Sequence, residues 1–84
     1  MQTPLISIIM PLYNTESYLM ETIRSVQNQT LRDFEVICVD DGSTDNTLAL
    51  IESVSRKDKR FSVLHQKNAG AGAARNYGFS AANG

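Results

Sequence analysis

Three short runs of β-forming apolar residues punctuate the chain: Leu5–Met10, Phe34–Val39 and Arg60–Leu64. The first two are nearly continuous in apolar character, the pattern of strands buried on both faces of a parallel sheet. The third, through Phe61-Ser62-Val63-Leu64, is shorter and half polar, which suits an edge strand. Their starts lie about 27 to 29 residues apart, close to the ~30 residues of one strand–helix–strand unit. Between the runs the period becomes helical. Leu19, Ile23 and Val26 recur at i, i+4 and i+7, with Glu21, Arg24 and Gln27 turned away. Leu48, Ile51 and Val54 form a second stripe. Thr15 is the expected N-cap of the first helix, with Glu16 in its first turn; Ser43 or Thr44 caps the second, followed by Asp45. A third helix is predicted over roughly 71–82. Its alanines and Gly78 offer a small-residue surface for close approach to a sheet.

The order is β-α-β-α-β-α, which predicts a three-layer α/β/α Rossmann-like parallel sheet in one domain, 1–84. Right-handed crossovers place the first two helices on one face if the strands run in the order 3-2-1. The third helix then returns across the other face toward a next strand, and Asn83-Gly84 reads as the turn before it. On this reading the domain is truncated and the apolar edge of Leu5–Met10 is unpaired, which invites self-association.

Composition narrows the function. With 84 residues the chain forms one small domain, which excludes a multidomain enzyme. The net charge of -1 lacks the basic surplus of a nucleic-acid binder. One cysteine and one histidine exclude an internal disulfide and a Cys- or His-rich metal site. Cys38 is expected as a small core hydrophobe, and His65, at the end of the third strand, as a loop contact. The first apolar stretch is broken by Ser7 and stopped by Pro11, well short of the ~18–20 residues of a spanning helix, so no membrane segment is expected. The charge run Arg56-Lys57-Asp58-Lys59-Arg60 reads as a solvated helix end rather than a phosphate or membrane patch.

In open parallel sheets, ligands bind beyond the carboxyl ends of the strands. Those ends carry Pro11-Leu12-Tyr13-Asn14, Asp40-Asp41-Gly42-Ser43-Thr44-Asp45, and His65-Gln66-Lys67 leading into Asn68-Ala69-Gly70. A dinucleotide fingerprint needs glycines after the first strand, and none is there; no Gly-Lys-Ser/Thr phosphate loop occurs either. What remains is an aromatic, an acid and an arginine. Tyr13 can stack on a base. Asp41 can accept a hydrogen bond from an N–H on the edge of uracil or guanine. Arg75 can reach phosphate oxygens or hold a neighbouring carboxylate. Singly, each has a plainer explanation as turn aromatic, helix cap or salt bridge. On the rims of successive strands they favour a nucleotide site.

The segment Ser7-Ile8-Ile9-Met10-Pro11-Leu12-Tyr13-Asn14 resembles the opening strand and turn of family 2 glycosyltransferases. Asp40-Asp41-Gly42-Ser43-Thr44-Asp45 resembles that family's acidic motif. Asn68-Ala69-Gly70 followed by Ala74-Arg75-Asn76-Tyr77-Gly78 resembles its third motif, and Ser25 to Thr30 its first-helix end. The resemblance covers essentially the whole chain. It implies the N-terminal part of a GT-A fold and inverting sugar transfer from a nucleotide-diphosphate donor of UDP or GDP type. It places Pro11, Tyr13 and Asp41 in the nucleotide pocket, Glu16 near its mouth, and Asn68 and Arg75 near the diphosphate. It also implies Mg²⁺ or Mn²⁺ held by a later Asp-x-Asp motif, which this chain does not contain. The chain alone is therefore expected to bind a donor nucleotide without transferring sugar. Stacking at Tyr13 and one charged hydrogen bond at Asp41 bound its affinity at roughly millimolar. A cytoplasmic setting is expected, with the inner membrane face as the site of a longer protein. The competing class is a non-enzymatic α/β module that binds a nucleotide or a protein.

Overall fold

A computed structural model of the chain describes residues 6–28 and 34–82. The expectations that fell on Leu5, on Gln29-Thr30 and on Asn83-Gly84 lie outside those residues. Strands β1 (Ile6–Leu12), β2 (Phe34–Asp41) and β3 (Phe61–Gln66) alternate with helices α1 (Leu19–Gln27), α2 (Thr47–Lys57) and α3 (Ala71–Ala81). The strands form one parallel sheet in the order β1-β2-β3, the order for which right-handed crossovers place α1 and α2 on one face and α3 on the other.

Alternation along β2 builds two cores. Phe34, Val36 and Cys38 point to one face, where with Phe61 they meet Leu19 and Ile23 of α1 and Ile51 and Val54 of α2. Ile37 and Val39 point to the other, where they meet Ala74 of α3. The two faces make the three α/β/α layers. The central strand β2 is buried except at half-buried Glu35, whereas β1 is mostly half-buried; its outer edge has no strand partner among the described residues. The close approach of α3 depends on Gly78. A Cβ there would lie 2.6 Å from Ile9 Cγ2 and 3.1 Å from Val39 Cγ2. Cys38 is fully buried, and burial pushes its thiol up to about 12, so it behaves as a small core hydrophobe.

Each strand runs beyond its apolar run because the parallel ladder continues into polar residues. Leu12 pairs with Asp40, and Asp40 and Asp41 pair with His65 and Gln66. His65 therefore lies inside β3, not in the loop. Pro11 lies inside β1, an edge position where a missing ladder donor is tolerated.

The helix starts differ from the expected caps. Thr15 is not the N-cap of α1; a turn intervenes and Tyr18 takes that position. The Thr15 carbonyl accepts from the Tyr18 and Leu19 amides, while its own N–H donates to Thr47 Oγ1 at 2.8 Å. Neither Ser43 nor Thr44 caps α2. Asn46 holds the N-cap position, and Asp45 Oδ1 accepts from the Thr47 amide at 2.9 Å. Gln27 is not turned away either. Its Nε2 donates to Asp58 Oδ2 at 3.2 Å, tying the end of α1 to the turn after α2.

The charge run divides in two. Arg56 and Lys57 occupy the last turn of α2, as a helix dipole favours. Arg60 instead grips Asp58 through Nε at 3.0 Å and Nη2 at 2.8 Å, and stacks its guanidinium 4.7 Å from the Phe34 ring centroid. The Arg60 side chain, helped by its amide and by Gln27, holds the Asp58 carboxyl down to about 2 against the opposing effect of burial. The folded value lies below the ordinary 3.8. The pair's stabilisation is thus complete above that ordinary value and is lost as pH falls through the folded one. Acid unfolding of an Asp58→Asn chain is expected to lack this component. Identical pH–stability profiles for the two chains would refute it.

No helix among the described residues is long and apolar enough to cross a membrane.

Candidate functional site

The carboxyl ends of the three strands open on one rim, and two fastenings shape it. The first joins the β1–α1 and β2–α2 loops. Asn14 adopts φ +51, a conformation that asparagine tolerates better than most residues. Its Oδ1 accepts from the Thr44 amide at 2.8 Å, and its own amide donates to Ser43 Oγ at 3.0 Å. Beyond it each loop holds the backbone of the other ahead of its helix. Asp45 Oδ2 accepts from the Glu16 amide at 3.1 Å, and Glu16 Oε1 accepts from the Asn46 amide at 3.1 Å. Hydrogen bonds from Thr47, side chain first, hold the Asp45 carboxyl below the usual range. Alternating capping residues in sequence thus become one reciprocal network in space.

The second fastening is Asp41, at the end of β2. Its Oδ1 accepts from Gln66 Nε2 at 2.7 Å and from the Ala69 amide at 2.8 Å. Its Oδ2 accepts from the Gly70 amide at 3.0 Å, and its carbonyl accepts from Asn68 Nδ2 at 3.1 Å. One residue therefore ties down the whole β3–α3 loop. The Gln66 side chain first, then the Ala69 and Gly70 amides, keep the carboxyl below its ordinary value and hence ionised. Gly42 lets the loop come close: with φ +72, its absent Cβ would lie 2.6 Å from the Asn68 nitrogen.

Between these fastenings lies a cleft of about 290 Å³, lined by Pro11, Leu12, Tyr13, Asp41, Asn68, Gly70 and Ala71. Four of the six expected site residues meet there: Pro11, Tyr13, Asp41 and Asn68. Tyr13 is half exposed, which leaves its ring available. Glu16 does not line the cleft, because Asn46 takes both its carboxylate oxygens. Arg75 stands exposed on α3, one helical turn beyond Ala71 and on the same face. Asp40 sits beneath the rim, fully buried, with Oδ2 2.9 Å from His65 Nδ1 and 3.3 Å from the Ser43 amide.

Sequence reading passed over Gln66. The signal that finds it is the register: Asp41 and Gln66 end neighbouring parallel strands directly opposite each other. Among the described residues no group of three His, Cys, Asp or Glu side chains is arranged to hold a metal ion. The residues described thus do not fit the divalent metal that the resemblance implies.

Known proteins resemble this chain in sequence and in fold. The chain is 46% identical over 81 residues to the uncharacterized glycosyltransferase EpsJ of Bacillus subtilis (strain 168), covering 96% of this chain and 24% of that protein. It is 46% identical over 81 residues to the glycosyltransferase GlyG of Streptococcus pneumoniae serotype 4, covering 95% of this chain and 27% of that one. Among solved structures, S. aureus TarS 1–349 superposes with a TM-score of 0.85 at 37% identity, over 94% of this chain and 24% of that fragment. The same TarS fragment in complex with UDP gives 0.84 at 36% identity, with the same coverage. The chain thus spans about a quarter of the length of these relatives. Its Rossmann-like sheet corresponds to the N-terminal region of a GT-A glycosyltransferase. With residues 7–84 matching the family as well, the chain belongs to glycosyl transferase family 2.

Proposed function

We propose that this chain forms the nucleotide-binding portion of an inverting transferase that takes sugar from a nucleotide-diphosphate donor. The observation that carries the reading is the cleft itself. An available aromatic, Tyr13, and an ionised acid, Asp41, line one recess at the carboxyl end of a parallel sheet. The UDP complex of the similar TarS fragment supports the same reading. Tyr13 stacks on the base and Asp41 accepts from a base N–H. Asn68, at the mouth of the β3–α3 loop, and Arg75, on the cleft-side face of α3, take the diphosphate side. Glu16 acts at one remove, by holding the loop that presents Tyr13.

Mg²⁺ or Mn²⁺ is proposed for the longer protein, where it would neutralise the leaving diphosphate. The present residues are thus proposed to bind and orient the nucleotide and are not expected to turn it over. The test is a pair of substitutions. Tyr13→Phe is expected to keep the affinity for UDP, and Tyr13→Ala to lose at least about fivefold, the low end for base–aromatic stacking. Equal affinities of Tyr13→Ala and wild type would refute the stacking role.

The outer edge of β1, with Ile6 exposed, is further proposed to take a strand from a second copy at high concentration. Sedimentation equilibrium reads this, and a monomer at every concentration would refute it.

A further inference from the structure

We propose that Gln66 sets the base selectivity of the cleft, by leaving Asp41 with a single free acceptor position. The inference rests on the nucleotide reading above. An ionised carboxylate offers four in-plane acceptor positions, two on each oxygen. Gln66 Nε2 and the Ala69 amide fill both positions on Asp41 Oδ1. The Gly70 amide fills one on Oδ2. One position on Oδ2 is left for a ligand.

A single acceptor matches a base with one ring N–H between two carbonyls, as in uracil. Guanine presents two adjacent donors, the ring N–H and the exocyclic amine. These are satisfied together only by both oxygens of a carboxylate. In this site Gln66 and the Ala69 amide already occupy Oδ1, which guanine needs as its second acceptor. A guanine base would leave one donor unmet in the cleft, a cost that separates substrates strongly.

The register explains why the contact is there. β2 and β3 run parallel with Asp41 opposite Gln66. Strand alternation turns both toward the α3 face, the side of Ile37, Val39 and Leu64. Gln66 does not line the cleft. It acts through Asp41 and is a positioning residue.

The test compares UDP and GDP without metal, by amide-shift titration of the full chain. Their diphosphates are identical, so the ratio of dissociation constants isolates the base. Wild type is expected to bind UDP about tenfold more tightly than GDP, the cost of one unmet hydrogen bond. Gln66→Met keeps the side-chain length but has no N–H donor. It frees one position on Oδ1 beside the one on Oδ2, the pair guanine requires. The ratio is expected to move toward GDP by at least about threefold, whatever happens to the absolute affinities. General loosening of the fold would weaken both nucleotides alike and leave the ratio unchanged.

A wild-type chain that binds GDP as tightly as UDP overturns the proposal, and that measurement does not depend on the variant folding. An unchanged ratio in Gln66→Met, with UDP still binding wild type, overturns it while leaving the nucleotide reading intact. Failure of wild type to bind either nucleotide overturns both.

Discussion

Asp41→Ala is expected to lose nucleotide affinity by between about tenfold and a hundredfold, the range for a hydrogen bond to a charged group. The same substitution should release the β3–α3 loop. Asp41 accepts from Gln66, Ala69 and Gly70 through its side chain. Alanine leaves those three donors without their partner, and unmet donors are more costly than bonds never made. Amide hydrogen exchange at Ala69 and Gly70 should therefore accelerate, while exchange in the buried ladder of β2 changes less. Asp41→Asn separates the two roles. It keeps one carbonyl acceptor for the loop but turns an amine toward the remaining donors. Loop protection is expected to survive in part while nucleotide affinity falls. Retained affinity in Asp41→Ala, with exchange at Ala69 and Gly70 unchanged, would contradict both roles.

Gly42→Ala carries the largest expected effect on stability. Two costs coincide at this position. The backbone lies at φ +72, which disfavours an L side chain by about 1–2 kcal/mol. The new methyl would meet the Asn68 backbone nitrogen at 2.6 Å, and overpacking of that kind costs about 1–3 kcal/mol. A loss of roughly 2–5 kcal/mol in so small a domain lowers Tm by on the order of 10–20 °C or more. The backbone of Asn68 cannot swing aside as a flexible side chain would, and moving it pulls the loop off Asp41. Two other glycines provide the contrast. At Gly70 the φ of +96 is strained for alanine, but nothing lies within 4 Å. At Gly72, inside α3, the space is open and no unusual φ is required. Gly72→Ala should stabilise by up to about 1 kcal/mol through helix propensity. Thermal denaturation of the three variants checks the order Gly72→Ala, Gly70→Ala, Gly42→Ala. Near-wild-type stability of Gly42→Ala would contradict the close loop approach.

The fold was legible because its signals are local and periodic. Apolar runs spaced by one strand–helix unit marked three strands, and for the order 3-2-1 the crossover rule then gave the helix faces. Gly78, on a helix of small residues, marked the close contact with Ile9 and Val39. The helix caps were less legible. Thr15, Glu16 and Asp45 are capping residues by type, but Thr15 and Glu16 find partners in the neighbouring loop about thirty residues on, which spacing along the chain could not pair. Glu16 shows the consequence: as an acid near the motif it resembled a ligand contact, and in space it caps α2. Gln66 was hidden for the same reason. Its importance follows from the residue opposite it in the next strand, and that register appears only once strand ends are placed. Tyr13, Asp41 and Asn68 were legible as neighbours because each lies at or just beyond a strand end, where the sheet itself brings them together.

The cleft between Tyr13 and Asp41 is proposed to bind the nucleotide part of a sugar donor. Backbone amide shifts of the isotope-labelled chain, followed as metal-free UDP is added, test it most directly. The account predicts saturable shifts at Tyr13, Asp41, Asn68, Gly70 and Ala71, with a dissociation constant of roughly millimolar. Unshifted cleft amides at roughly tenfold that concentration, or the largest shifts on the outer face of α1 at Tyr18 and Thr22, would contradict it.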